Sequence, residues 1–548
     1  MTKKEPQLVA YFCAEYGLES RLPIYAGGLG VLSGDTLKAA ADKKVPVIGV
    51  GLLYHGEAAK QIITPDGEQI EIDVPFDELS IGLEHVYVDD KPLFIKVHLT
   101  EVDIWVRVWK KTIGETVTLY LLDTDTEQNQ ISERTITYAL YHGTEEELVK
   151  QQMILGIGGV KLLYELGLHP CVYHINEGRP AFLHWQLIRM FMDKHGMSYA
   201  EAKKLAKEKT VYTNHTLVAA GNKGYPTRLI ETYADYYAKR IGISLEELLA
   251  DGTYSHPDQF KMTRFALNIS SRANGVSALH TKLSEEAWRG YDWRNITNGV
   301  HMPTWQSSEF RQDDLTDSRI WEIHTRNKQS LVKFSEQRCG YGFDPNKLVV
   351  GWARRIADYK HLDWFFEDMV RLEKIVKDAD RPVQLIIAGK AHFGDTSGKA
   401  LLKKVIGYMQ NELSGSALFL ANYDLDVANH MVKGCDVWVN TPEFGKEACG
   451  TSGMKAIANG VLNLTVEDGW VGEANWDNMG WLIDHENPSQ DLYSKLESEI
   501  VGTYYDRNDQ GLPIKWISMM RKSIETAKEF SAQRMFDQYY DLLYCRSK

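Results

Sequence analysis

The chain has 548 residues, of which 44% are apolar and 25% charged, with 43 glycines, 16 prolines and a formal net charge of −13. That balance excludes a disordered or collagen-like chain, and the acidity argues against broad binding to nucleic acid or anionic membrane while allowing a small basic pocket. Cys13, Cys171, Cys339, Cys435, Cys449 and Cys545 lie far apart without a C-x-x-C pair, so neither a disulfide scaffold nor a metal site is expected. No apolar run reaches the roughly 18 residues of a membrane span, and an unexported cytoplasmic protein is the expectation. Two large domains are expected, because single cores stop growing near roughly 250 to 300 residues.

Taken in order, short runs rich in Val, Ile, Leu and Tyr at Gln7–Cys13, Val47–Tyr54, Cys171–Asn176 and Thr210–Asn214 predict buried parallel strands. Alternation between Lys91 and Asp123, as in Phe94 to Leu99, predicts a small antiparallel excursion. The polar stretch from Pro303 to Pro345, with a helix near Ile320–Phe334 and Gly340-Tyr341-Gly342 at its end, reads as an interdomain connection. Beyond it, strands at Leu348–Trp352, Val383–Ala388, Ala417–Ala421, Val437–Asn440 and Leu462–Val466 alternate with helical stretches in a doubly wound α/β pattern. The expected division is 1–315, a connection over 316–345, 346–530, and a C-terminal helix over 531–548 that can pack on either domain.

Three clusters carry candidate chemistry. Ala26-Gly27-Gly28-Leu29-Gly30 has the form of a turn that offers backbone N–H groups and a helix N-terminus to an anion, although alone it is equally a tight turn. Arg354-Arg355-Ile356-Ala357-Asp358-Tyr359-Lys360 follows a predicted strand at its carboxyl end, where open α/β sheets bind ligands. Its three cations suit a phosphate, while as an isolated run they describe a solvated surface. The segment Glu447 to Ala456 follows another strand. Its small residues leave amides accessible, and Lys455, one turn into a helix, is placed to form a Schiff base with a cofactor aldehyde or simply to sit on the surface.

The run Glu447-Ala448-Cys449-Gly450-Thr451-Ser452-Gly453-Met454-Lys455 resembles the pyridoxal-phosphate attachment motif of the α-glucan phosphorylases. Ala14-Glu15-Tyr16-Gly17 and Pro23 to Gly30 resemble the opening of that family's short prokaryotic branch, and Tyr212 to Thr216, Asn274-Gly275-Val276, Thr297 to His301 and Arg355 to Lys360 agree in order. The resemblance extends from about Val9 to Gly480. It implies the GT-B architecture, two Rossmann-like doubly wound domains with the active site in the cleft between them. It also implies phosphorolysis of α-1,4-glucans or maltooligosaccharides from the non-reducing end by inorganic phosphate, giving α-D-glucose 1-phosphate with retention.

By the same resemblance Lys455 carries pyridoxal 5′-phosphate as an imine, and Arg354, Thr451 and Ser452 hold its phosphate. Arg355, Lys360 and the backbone of Gly27, Gly28 and Leu29 bind the inorganic phosphate. Tyr359, Glu447, Asn298 and His215 surround the glucosyl unit, with backbone donors from Ala448, Cys449 and Gly450. Glu447 and His215 are positioning groups in this scheme, and no carboxylate pair at glycosidase spacing is required. A homodimer is compatible with the reading.

Arg179 departs from the family, which commonly has histidine in the segment Asn176 to Ala181. It reads either as a structural partner of Glu177 or another acid, or as a contact to the glucan acceptor. The rival reading is a nucleotide-sugar-dependent retaining glucan synthase of the same fold. In that class lysine and threonine precede the glycine turn, where Tyr25-Ala26 stands here. A catalytically silent glucan-binding homologue is the third.

Overall fold

Every residue of β1 (Val9–Cys13) is buried, the pattern of a strand covered on both faces by helices. The computed structural model describes residues 7–56, 60–72, 74, 77–217, 222–253, 256–392 and 394–545. After β1 come the helix α1 (Gly28–Asp42) and the strands β2 (Val47–Leu52), β3 (Phe94–Leu99), β4 (Val102–Ile113) and β5 (Val117–Asp123). The same sheet continues with β6 (Val172–Asn176), β7 (Thr210–Thr213), β8 (Arg272–Gly275) and β9 (Trp293–Asn295). Its order is β9-β8-β7-β6-β1-β2-β5-β4, with Glu84–His85 beyond β4 and β3 also paired to β4. From β9 to β5 all neighbours are parallel, so the strand order reverses between β1 and β6.

The antiparallel excursion is present in β3, β4 and β5, but it is not a separate sheet. Val117–Asp123 is buried along most of its length and runs parallel to β2, with Val117 opposite Val47, so the excursion extends the central sheet. β8 and β9 were not expected, because Arg272-Ala273-Asn274-Gly275 and Trp293-Arg294-Asn295 have no apolar run. A polar bond helps register β8, the Thr213 hydroxyl donating to Asn274 Oδ1 at 2.6 Å.

A second sheet follows: β10 (Leu348–Ala353), β11 (Val383–Ala388), β12 (Ala417–Leu420), β13 (Val437–Asn440), β14 (Leu462–Val466) and β15 (Gly480–Ile483). Its order is β12-β11-β10-β13-β14-β15, parallel throughout, which is the doubly wound arrangement with its switch point between β10 and β13. The predicted helix spans Asp317–Cys339, and Gly340 closes it at φ +69°. Asp436, fully buried, fastens that helix to the sheet by accepting from Lys328 Nζ (2.6 Å), His324 Nε2 (2.7 Å) and the Val349 amide (2.7 Å).

The chain forms two compact units, one taking its described residues from within 1–58, 74–297 and 535–548, the other from 59–73 and 298–534. The hairpin Lys60–Ile63 with Gln69–Ile72 therefore belongs to the second unit although its sequence lies inside the first. Two glutamines hold it. Gln61 Nε2 donates to the Gly389 carbonyl at 2.8 Å and Gln61 Oε1 accepts the Asn422 amide at 2.7 Å. Gln69 both donates to and accepts from the Ala391 backbone, at 2.9 and 3.0 Å. The end of the C-terminal segment packs in the first unit, where Tyr544 Oη meets His174 Nδ1 at 2.7 Å. Among the described residues no helix is long and apolar enough to cross a membrane, and no group of His, Cys, Asp and Glu is arranged to hold a metal ion.

Candidate active site

In the first unit the glycine turn follows β1 and opens α1. Gly30 is there for close packing, since a Cβ on it would stand 2.5 Å from the Tyr25 Cβ and 2.7 Å from Glu15 Oε2. Gly27 and Gly28 differ: a Cβ on either would meet nothing within 4 Å, and neither has a positive φ. Neither packing nor backbone conformation in the chain requires glycine at these two positions, and bare backbone there lets a ligand approach closely. Gly27 is the N-cap of a 15-residue helix with no side-chain cap bond. The turn is tied down by Glu15, whose Oε2 accepts the Ala26 and Gly27 amides at 2.8 and 3.1 Å. Of the expected phosphate donors, Gly27 thus has its N–H engaged, which leaves Gly28 and Leu29 at the first turn.

His215 follows β7. Its Nε2 lies 2.6 Å from Asn176 Oδ1, and the Asn176 amide nitrogen donates to Ser33 Oγ of α1 at 3.0 Å. With Oδ1 as the acceptor, the proton belongs on Nε2 and Nδ1 keeps its lone pair. Burial pushes the imidazole down to about 3, aided by His280 and His174, so it is neutral at ordinary pH and fit to accept from a hydroxyl.

Glu177 sits beside it with φ +67°, and its Oε1 accepts the His215 amide at 2.6 Å. Burial pushes its carboxyl from 4.5 up to about 7, against the pull of the His215 and Gly178 amides and of Arg179. Arg179 itself lies over the Tyr141 ring, 4.4 Å from its centroid. A protonation consequence follows for Glu177. Between about pH 4.5 and 7 the folded chain holds a proton here that the unfolded chain releases, so stability falls as pH rises through that window, by about 3 kcal/mol in all. Glu177→Gln keeps an acceptor for the His215 amide and should remove that slope, measured as the difference in unfolding free energy between wild type and variant across the window. A constant difference would refute it.

In the second unit Arg354 to Lys360 leave the end of β10, and Glu447 to Lys455 follow β13, the two strands on either side of the switch point. Arg354, Lys360 and Lys455 are buried and Arg355 is exposed. Glu447 Oε2 is ion-paired with Lys360 Nζ and lies 3.6 Å from Arg354 Nη1. Burial alone would raise the Glu447 carboxyl, but Lys360, Arg354 and, more weakly, Arg355 hold it below its ordinary value. Arg354 Nη2 donates to Ser452 Oγ at 3.4 Å, whereas its Nε and Nη1 are buried with no hydrogen-bond partner among the described residues.

Lys360 Nζ stands 4.5 Å from the Tyr359 ring centroid, and its carbonyl accepts from Thr441 Oγ1 at 2.9 Å. Lys455 Nζ is 3.9 Å from the Trp305 ring centroid, and its amide donates to the Thr451 carbonyl at 3.3 Å. Gly450 has φ +77°, which only glycine adopts freely, and the Cys449 carbonyl accepts the Trp470 amide at 3.2 Å. Asn298 meets Cys449 through its backbone amide, and its Oδ1 is buried without a partner among the described residues. Ala448 lies between Glu447 and Cys449 in the same turn.

The sequence reading missed four residues that shape these groups. Asp468 accepts the Glu447 amide at 2.9 Å and the Gly469 amide at 2.8 Å. Trp305 covers Lys455. Tyr423, its hydroxyl pushed up to about 12 by burial, lies near enough to Arg354 to feel its charge. Tyr141 engages Glu15 and Arg179. None carries a local motif, and only the carboxylate type of Asp468, just after an apolar strand, was a usable signal.

A doubly wound sheet whose switch point gathers two arginines, two lysines and a carboxylate defines an α/β enzyme scaffold for anionic ligands. Residues 166–308 and 305–475 match the family model described as carbohydrate phosphorylase. The chain belongs to the carbohydrate phosphorylase family. It is 37% identical over 601 residues to the maltodextrin phosphorylase of Thermococcus litoralis, covering 98% of this chain and 70% of that one. It is 34% identical to the glycogen phosphorylase of Aquifex aeolicus, over 100% of this chain and 87% of that one. The glycogen phosphorylase of Mycobacterium tuberculosis is also 34% identical, over 98% and 71%.

Proposed function

We propose that this chain phosphorolyses α-1,4-glucans from the non-reducing end, with pyridoxal 5′-phosphate held on Lys455. The observation that carries the cofactor reading is Arg354, whose buried Nε and Nη1 have no hydrogen-bond partner among the described residues, Nη1 having only the Glu447 carboxylate at 3.6 Å, beside Ser452 in the turn that leads to the buried Lys455. Two buried guanidinium nitrogens with unfilled hydrogen-bonding capacity fit a phosphate group, which Thr451 and Ser452 would help to hold. Bound there, the cofactor supplies a phosphate that exchanges protons with the substrate phosphate, and its attachment serves as an anchor.

The chain's own residues then have distinct tasks. Lys360 and Arg355 hold the inorganic phosphate, and in the first unit the Gly28 and Leu29 amides offer an anion two donors at the start of α1. Glu447, kept ionised by Lys360 and Arg354, accepts from sugar hydroxyls, as does Asn298, and in the first unit the neutral His215 offers Nδ1 as an acceptor for a hydroxyl. Tyr359 and the backbone of Ala448, Cys449 and Gly450 line the same sugar. The substrate phosphate gives its proton to the departing glycosidic oxygen, the C1–O bond breaks, and a phosphate oxygen bonds C1 from the same face, so α-glucose 1-phosphate is formed with retention. The six cysteines are all free thiols, which suits a reducing, cytoplasmic setting.

Wild-type protein incubated with maltoheptaose should release glucose 1-phosphate only when inorganic phosphate is present, and should extend the glucan from glucose 1-phosphate in reverse. Chain extension from a nucleotide sugar with none from glucose 1-phosphate would establish the synthase reading instead.

A further inference from the structure

We propose that Arg179, Tyr141 and Glu15 form a positioning chain that holds the glycine turn in register, so that Arg179 serves the phosphate end of the reaction through Tyr141. The inference rests on the phosphorolysis reading for its kinetic part only. The path is continuous within the first unit: the Arg179 guanidinium lies 4.4 Å from the Tyr141 ring centroid, and the Tyr141 hydroxyl donates to Glu15 Oε1 at 2.5 Å. Glu15 Oε2 accepts the Ala26 and Gly27 amides. A carboxylate has no donor of its own, and Glu15, only 2% exposed, is satisfied by these three N–H and O–H groups. Removing one loosens the grip on the other two.

Two further observations point the same way. Tyr141 has φ +59°, a left-handed conformation that is costly for a bulky residue and persists only where its surroundings fix it. The hydroxyl bond to Glu15 and the cation on its ring are those fixtures. Second, position 30 is a glycine where any side chain would displace Glu15 from this arrangement, since a Cβ there would stand 2.7 Å from Oε2. A cation on the face of a phenol also makes its O–H a better donor, and Arg179 counters the rise in the Tyr141 hydroxyl that burial and Glu15 impose.

The test uses the full chain with three variants, Tyr141→Phe, Arg179→Gln and Arg179→Lys, each read in two ways. Hydrogen–deuterium exchange of the peptide holding Ala26 and Gly27 should speed up in Tyr141→Phe and Arg179→Gln and return toward wild type in Arg179→Lys, which restores a cation over the ring. In steady state Tyr141→Phe should lower kcat/KM for inorganic phosphate about ten- to a hundredfold, the range for losing a hydrogen bond to a charged group, mostly through KM. Arg179→Gln should lower it about two- to thirtyfold, and adding it to Tyr141→Phe should cost little more. Unchanged exchange in Tyr141→Phe would overturn the proposal. So would an Arg179→Gln variant that alters only the preference among maltotriose, maltoheptaose and glycogen. If the wild type cleaves no glucan with phosphate, the functional reading fails, and the exchange measurement still decides the positioning chain.

Discussion

Lys455→Met should purify without covalently held pyridoxal phosphate and lose phosphorolysis by about a thousandfold or more. Methionine keeps an unbranched stem against Trp305, so the buried packing survives while the amine is removed. Holding a reacting group in place is worth an effective molarity of ~10⁵ M, or about 7 kcal/mol. Arg354, Thr451 and Ser452 would recover part of this by retaining the cofactor phosphate without the covalent bond, and a loss of about 4 kcal/mol, or a thousandfold, is the remainder expected. Borohydride reduction and peptide mapping of the wild type should place the label on Lys455. Label on another lysine, or a fully active Lys455→Met, would remove the cofactor assignment.

Lys360→Ala should reduce kcat/KM for phosphate by about 30-fold to several thousandfold. Taking away one partner of a buried, hydrogen-bonded charge pair costs about 2 to 5 kcal/mol, and Glu447 would be left with Arg354 at 3.6 Å as its nearest cation. The pairing also sets a pH signature. Because the folded Glu447 carboxyl is held below its ordinary value, its stabilising share is present above the ordinary glutamate range and is lost as pH falls through the depressed folded value. In Lys360→Ala that acid limb should weaken. The double variant Lys360→Ala with Glu447→Gln should regain stability and use phosphate more poorly than Glu447→Gln alone, which separates the ion pair from the anion site. A double variant that uses phosphate as well as Glu447→Gln alone would show that Lys360 acts only as a partner of Glu447.

Five of the six strands of the second sheet were legible to within a residue, because runs such as Leu348–Ala353, Val383–Ala388 and Val437–Asn440 are fully buried and mostly apolar, whereas β15 (Gly480–Ile483) was not expected, its four residues being only alternately buried. β8 escaped because its registration depends on Asn274 and Thr213, and hydrophobic pattern carries no information about a polar bond. The candidate site divides the same way. Arg354, Lys360, Glu447 and Ser452 stand in local motifs, and the structure joins them directly. Tyr141 is separated from Glu15 by 126 positions, and nothing in a linear reading relates them. Arg179 was open between an acid partner and a glucan contact. Its position on an aromatic face was not foreseen, because a cation–π contact has no sequence spacing to betray it.

The hairpin of residues 60–72 has a consequence for synthesis. Gln61 is 328 positions ahead of Gly389, so at roughly 5 to 20 residues per second its partner carbonyl is made about 15 to 65 s later. A lone two-stranded hairpin is marginally stable in water, and this one also presents Ile62, Ile70 and Ile72 to solvent. The nascent chain therefore carries a sticky, unpaired segment through most of its translation, and the second unit closes only when Gly389, Ala391 and Asn422 have emerged to claim it.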